Sequence, residues 1–152
     1  MNTWIILAVT VALGLSAWED YKTEEISLVS VGLMILTKSV FILLNPEINT
    51  LYASFVGLGI SAFPFLIMAI LGKGGIGDIL LMGALGFAVG IIPVIRIILI
   101  ASIIYILFGM YQIGKMEPSD NRVKEGLKTQ YPYAPSVFIA WIIYLGFLLI
   151  RR

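Results

Sequence analysis

Asp78 closes the run Leu71-Gly72-Lys73-Gly74-Gly75-Ile76-Gly77-Asp78, in which four glycines deliver one carboxylate to the mouth of an apolar stretch. A second acid, Asp20, stands in Ala17-Trp18-Glu19-Asp20-Tyr21-Lys22-Thr23-Glu24-Glu25-Ile26-Ser27, where the first apolar run of the chain stops. Ionisable groups at membrane depth are expensive and mark ion pathways, proton relays or catalytic sites. At about 4 Å and an effective dielectric near 20, two carboxylates repel by roughly 4 kcal/mol, equivalent to about three pKa units. A pair so placed shares one proton. Its ionised member can activate water while its protonated member polarises a carbonyl. That chemistry calls for no metal, no cofactor and no covalent nucleophile. Cysteine and histidine are both absent, which excludes disulfides, the common transition-metal sites and any serine–histidine or cysteine–histidine triad.

The elements that must position these acids are membrane helices. Hydrophobic residues make up 60% of the 152 and charged residues 12%, with a mean hydropathy of +1.02, outside the range of soluble globular domains. At about 20 residues per crossing the chain holds several spans but no membrane bundle plus a folded soluble domain. The expectation is an all-α polytopic integral membrane protein of about six transmembrane helices. It forms a single domain over 1–152 without a soluble N-terminal insertion. Apolar runs fall near 3–18, 27–44, 51–71, 79–95, 97–113 and 136–150. The fourth and fifth adjoin with only Pro93 and Arg96 as punctuation, so one bent span there makes five instead of six. The first run lacks a basic start and a small-residue cleavage site, and is read as retained. A formal net charge of +1 gives no argument for nucleic acid.

Six spans with an external N-terminus put Lys22, Lys73, Lys115, Arg122, Lys124 and Lys128 inside, where short loops carry the positive excess. Arg96, Arg151 and Arg152 then lie outside, and the long stem of Lys38 lets it snorkel from the second span to the outer headgroups. Two crossings separate Asp20 from Asp78, so both acids return to the same face and to similar depth. Gly83, Gly86 and Gly90 let the fourth helix approach its neighbours closely. Gly75 and Gly77 are the glycines read as supporting the site, through turn geometry and close backbone approach. Taken alone, Asp78 also fits a cap at a helix N-terminus. Glu19 is read as a solvated juxtamembrane acid, and Tyr105, Tyr111 and Trp141 as packing or interfacial residues.

Gly75-Ile76-Gly77-Asp78 matches the pattern GxGD, and together with the Asp20 segment it resembles the GxGD membrane aspartic proteases, specifically the type IV prepilin peptidases and their preflagellin relatives. The continuation Ile79-Leu80-Leu81-Met82-Gly83-Ala84-Leu85-Gly86 resembles GxGDxKLxAxxG at Leu81 and Gly86, with Leu80 in place of lysine and Gly83 in place of alanine. Asp20-Tyr21-Lys22-Thr23-Glu24-Glu25-Ile26 resembles the first aspartate motif of the family, with Ser27 in place of the usual proline. Pro132-Tyr133-Ala134-Pro135 is similar to the family's proline-bracketed approach to its last helix.

The resemblance implies an aspartic endopeptidase with Asp20 and Asp78 as the catalytic dyad. Its implied substrate is a type IV prepilin-like precursor, whose short basic leader is cut off ahead of a hydrophobic helix at the cytoplasmic face of the inner membrane. Its partners are then that precursor and the lipid bilayer. Many bacterial members also carry a Cys-x-x-Cys insertion and methylate the new N-terminus. Only a short loop separates the first two spans here and cysteine is absent, so methyl transfer is not assigned. Leu80 in place of a basic residue is expected to alter substrate contacts or the ionisation of Asp78. Two other classes fit the residues as well: a noncatalytic scaffold for pilus or secretion assembly, and a small ion-coupled transporter using the two acids. Glu24 and Glu25 are expected to attract the basic leader, acting on encounter and selectivity. Reversing both charges should slow processing of lysine-rich leaders, more at low salt than at high. Equal cleavage rates for variant and parent at both ionic strengths remove that role.

Overall fold

A computed structural model describes residues 2–23, 26–72, 74–114 and 133–150. They form six α-helices: α1 (Thr3–Thr23), α2 (Leu28–Leu44), α3 (Ile48–Ile70), α4 (Ile76–Val89), α5 (Ile91–Gly114) and α6 (Ala134–Ile150). Among the described residues there is no strand, in keeping with the expected all-α class. Among the described residues three spans are long and apolar enough to cross a membrane: Thr3–Thr23, Ile48–Ile70 and Ile91–Tyr111. The helices α2, α4 and α6 are apolar but shorter, at 17, 14 and 17 residues. At 1.5 Å per residue α4 is only about 21 Å long, less than the hydrocarbon core of a bilayer. The outer faces are apolar. Leu7, Val11, Leu15 and Trp18 stand at helical spacing on the exposed side of α1, a surface suited to lipid and unlike that of a soluble monomer.

α4 is the centre of the bundle. Every residue from Leu81 to Val89 is buried, and the helix contacts α1, α2, α3 and α5. A helix that is apolar on all sides is stable only when enclosed on all sides. Its closest partner is α3, which runs antiparallel to it. The chain turns at Gly72, whose φ of 70° is the left-handed conformation that ends many helices. Gly57 then faces Gly86, and the Ser61 hydroxyl reaches across to the Met82 carbonyl at 2.7 Å. A methyl group at Gly86 overlaps Ser61 and the Gly57 backbone, whereas one at Gly83 meets Ala62 at an ordinary 3.6 Å. The expected close approach is real, and Gly86 rather than Gly83 makes it.

The boundary between the fourth and fifth elements lies at Gly90, earlier than Pro93 and Arg96 indicated. Gly90 has φ 84° and ψ −176°, a conformation that side chains oppose and glycine accepts. Pro93 instead sits in the first turn of α5, where its missing N–H leaves no helical bond unmade. The chain reverses at this glycine, because Tyr105 of α5 returns to the level of Phe65 on α3, both packing on Tyr133. The fourth and fifth elements are therefore separate helices.

α1 and α6 are antiparallel neighbours. The Trp141 indole donates to the Thr10 hydroxyl at 2.8 Å, and Phe138 lies against Gly14. Trp141 is fully buried, so its place is the core and not an interfacial belt. Ser16 and Ser30 share a hydrogen bond between α1 and α2, and Ser27 caps α2 by accepting from the Val29 N–H. Lys38 is buried, with its ammonium 5.5 Å from the Phe41 ring, toward the C-terminal end of α2. Its stem therefore packs inside the protein instead of lying along lipid. Replacing Gly86 with alanine should cost at least about 1–3 kcal/mol from overpacking, while Gly83→Ala should be neutral or slightly stabilising. Thermal unfolding of the two variants in detergent checks the contrast, and equal effects would refute the α3–α4 register.

Candidate active site

One end of the bundle gathers the C-terminus of α1, the N-termini of α2, α4 and α6, and the Phe65 and Tyr105 levels of α3 and α5. α1 continues past its apolar run, so Asp20 lies within the last turns of the helix instead of in a following loop. Its carboxylate is almost fully enclosed, at 6% exposure, and Oδ2 accepts from the Ala134 N–H at 2.9 Å. The first amides of a helix have no partner inside it. In α6 the Ser136 and Val137 amides turn back to the Tyr133 carbonyl, and Pro135 has no amide hydrogen to place. That leaves Ala134, and Asp20 answers it from another helix.

Asp78 occupies the third position of α4, with Gly75 as the N-cap. It accepts a hydrogen bond from the Gly75 N–H. An acid reaching back from the third position to the cap amide is one half of a capping box, so the cap reading of Asp78 holds. A carboxylate in the first turn also lies at the favourable end of the helix dipole. The same carboxylate feels the charge of Asp20. The structure thus brings together the two acids of the two motifs, each held by an amide at the start of a helix.

The supporting glycines divide their work. Gly75 supplies the capping amide, in an extended conformation open to any residue. Gly77 has a packing reason to be small: a Cβ there would come within 3.1 Å of the Ile26 Cβ, tighter than ordinary contact. Ile26 belongs to the Asp20 motif, so the two motifs touch directly at this point. Leu80 is 41% exposed and stands two residues from Asp78, a spacing that places side chains on different helix faces. Glu24, Glu25 and Lys73 lie outside the described residues.

Two residues stand otherwise than the sequence indicated. Glu19 was expected to be solvated, yet its Oε2 is buried with no hydrogen-bond partner among the described residues. The helical continuation of α1 draws it inward beside Asp20. Tyr133, immediately before α6, packs its ring against Phe65 at 5.1 Å and against Tyr105 at 5.4 Å. Burial, together with the nearby charge of Asp78, pushes its hydroxyl up to about 12, so it stays protonated at any working pH. Among the described residues no group of three or more acids stands close enough to hold a metal ion. A separate groove between α5 and α6, lined by Arg96, Leu99, Tyr144 and Phe147, opens toward the opposite end of the bundle.

The sequence model of the type IV leader peptidase family matches residues 7–110, a stretch that takes in both aspartates and their motifs. No curated protein and no solved structure matches the chain.

The contact between Asp20 and Ala134 predicts a difference between two variants. Asp20→Asn keeps a side-chain oxygen to accept from the amide, whereas Asp20→Ala leaves that amide buried and unpaired, at a cost of about 1–3 kcal/mol. Both remove the charge facing Asp78, so the repulsion term cancels in the comparison. Chemical or thermal unfolding should find the alanine variant less stable than the asparagine variant by that amount.

Proposed function

The chain belongs to the type IV leader peptidase family, and from that membership we propose that it is a membrane aspartic endopeptidase whose Asp20 and Asp78 activate the hydrolytic water. The observation that supports this most is the meeting of the two motifs, with Asp20 and Asp78 in electrostatic contact and Ile26 seated on Gly77. Each carboxylate accepts a hydrogen bond from a backbone amide at a helix start, which helps to hold it in place. Two acids so coupled carry one proton between them at neutral pH. The ionised member takes a proton from water as the water oxygen attacks the scissile carbonyl carbon. The protonated member gives its proton to the carbonyl oxygen as that oxygen gains the electron pair. Collapse of the tetrahedral intermediate breaks the C–N bond: the departing nitrogen takes a proton from one aspartate while a hydroxyl of the intermediate returns its proton to the other, which restores the singly protonated pair.

The substrate that suits the site is a prepilin-like precursor with a short basic leader ahead of a hydrophobic helix. A basic leader stays on the cytoplasmic side while the helix enters the inner membrane, so the bond between them is held at the helix-end level of the two aspartates. Glu24 and Glu25 follow Asp20 by four and five residues in the sequence and bring negative charge to that approach. Methyl transfer forms no part of the proposal.

The test is cleavage of a prepilin-like peptide by the purified protein in detergent or lipid. Asp20→Asn and Asp78→Asn should each lower the rate by about 10³-fold or to background while the helices and thermal transition persist. Cleavage retained by either variant refutes the dyad. A wild type that folds and never cuts favours an assembly scaffold, and ion-dependent uptake into vesicles favours a transporter.

A further inference from the structure

Tyr133 and Ala134 are adjacent in the chain, and between them they touch both halves of the site. The Ala134 amide donates to Asp20, while the Tyr133 side chain lies within the field of Asp78. The Tyr133 ring is held in place by Phe65 of α3 and Tyr105 of α5, the latter edge-on at 68°. Its carbonyl accepts the Ser136 and Val137 amides and so anchors the start of α6. Ring and backbone are both fixed, yet the hydroxyl is buried with no hydrogen-bond partner among the described residues. The Ser102 side chain faces it, but not in a geometry that satisfies it. Buried hydroxyls are nearly always paired, and the exceptions call for a reason. A fixed donor without an acceptor, beside two carboxylates built to act on a carbonyl, has the form of a donor whose acceptor arrives with the substrate.

We propose that Tyr133 is a further catalytic residue, its hydroxyl donating a hydrogen bond to the scissile carbonyl oxygen as negative charge develops there. The assignment rests on the aspartic peptidase reading and adds to it an electrophilic partner for the dyad. No proton leaves the tyrosine. Its O–H shortens its contact to the oxygen as the tetrahedral intermediate forms, and the contact relaxes when the C–N bond breaks. The carbonyl gains the proton from the protonated aspartate, as before. Tyr133, Asp20 and Asp78 lie at the same end of the bundle, so a substrate carbonyl that enters between the two aspartates comes to the side of the site where the Tyr133 hydroxyl stands.

The experiment is steady-state cleavage of a prepilin-like peptide by wild type, Tyr133→Phe, Asp20→Asn and Asp78→Asn, with thermal unfolding of each. Tyr144→Phe serves as the control, making the same chemical change within α6 and away from the two aspartates. Loss of one oxyanion donor costs about 10²–10³-fold in kcat, so Tyr133→Phe should lose kcat on that scale with KM within about twofold. Its thermal midpoint should hold or rise, because the deleted hydroxyl had no partner to lose. Tyr144→Phe should keep the wild-type kcat. Three results overturn the assignment while leaving the dyad standing: wild-type kcat in Tyr133→Phe, a defect confined to KM, or a fall in kcat that tracks a fall in thermal midpoint. Active aspartate variants, or a wild type that never cuts, would instead overturn the peptidase reading and this assignment with it.

Discussion

The start of a helix leaves amide hydrogens with no partner inside it, and here two helix starts are met by aspartate. Asp78 turns back to the cap amide of its own helix, and Asp20 crosses from α1 to the first amide of α6. Each bond does two things. It satisfies an amide at a helix start, which for the buried Ala134 amide would otherwise cost about 1–3 kcal/mol, and it fixes a carboxylate at the end of the bundle where the two motifs meet. Capping and catalysis are usually weighed as rival explanations for an acid at a helix end. In this fold the cap holds each acid in place, so a capping role and the proposed catalytic role are compatible in one arrangement.

What brings the caps within reach of each other is the packing of α4. The helix is too short to cross a bilayer unaided and too apolar to stand beside water, so it is stable only as the enclosed centre of the bundle. Gly57 and Gly86 let α3 and α4 meet backbone to backbone, and Ser61 closes the contact with a hydrogen bond to Met82. The Gly90 break then sends α5 back along the bundle, carrying Ser102 and Tyr105 to the level of Asp78. Ile26 against Gly77 sets the remaining distance, between the start of α2 and the first turn of α4. A change at any of these small contacts moves a carboxylate without touching it.

Much of this was legible beforehand, for identifiable reasons. Composition alone indicated apolar helices, and the apolar runs at 27–44 and 51–71 match α2 and α3 to within a few residues. Counting crossings placed Asp20 and Asp78 at one end, because parity depends only on how many helices intervene. The limit of α1 was missed since its polar final turns do not look like a span, although Trp18 to Lys22 are compatible with helix. The break between α4 and α5 was misplaced because proline draws attention as a breaker. At the first turn of a helix it breaks nothing, and a glycine at positive φ does the work instead.

Sequence by itself determined the all-α membrane character, the two aspartate motifs and their common face, because these follow from composition, local patterning and parity. Tertiary structure alone decided that Asp20 bonds the start of α6, that Glu19 turns inward, and that Tyr133 stands beside Asp78 with an unmet hydroxyl. Those facts join residues that the chain keeps far apart. An aromatic residue near a helix end carries no local mark of its neighbours, and only the folding together of α1, α3, α4, α5 and α6 supplies them.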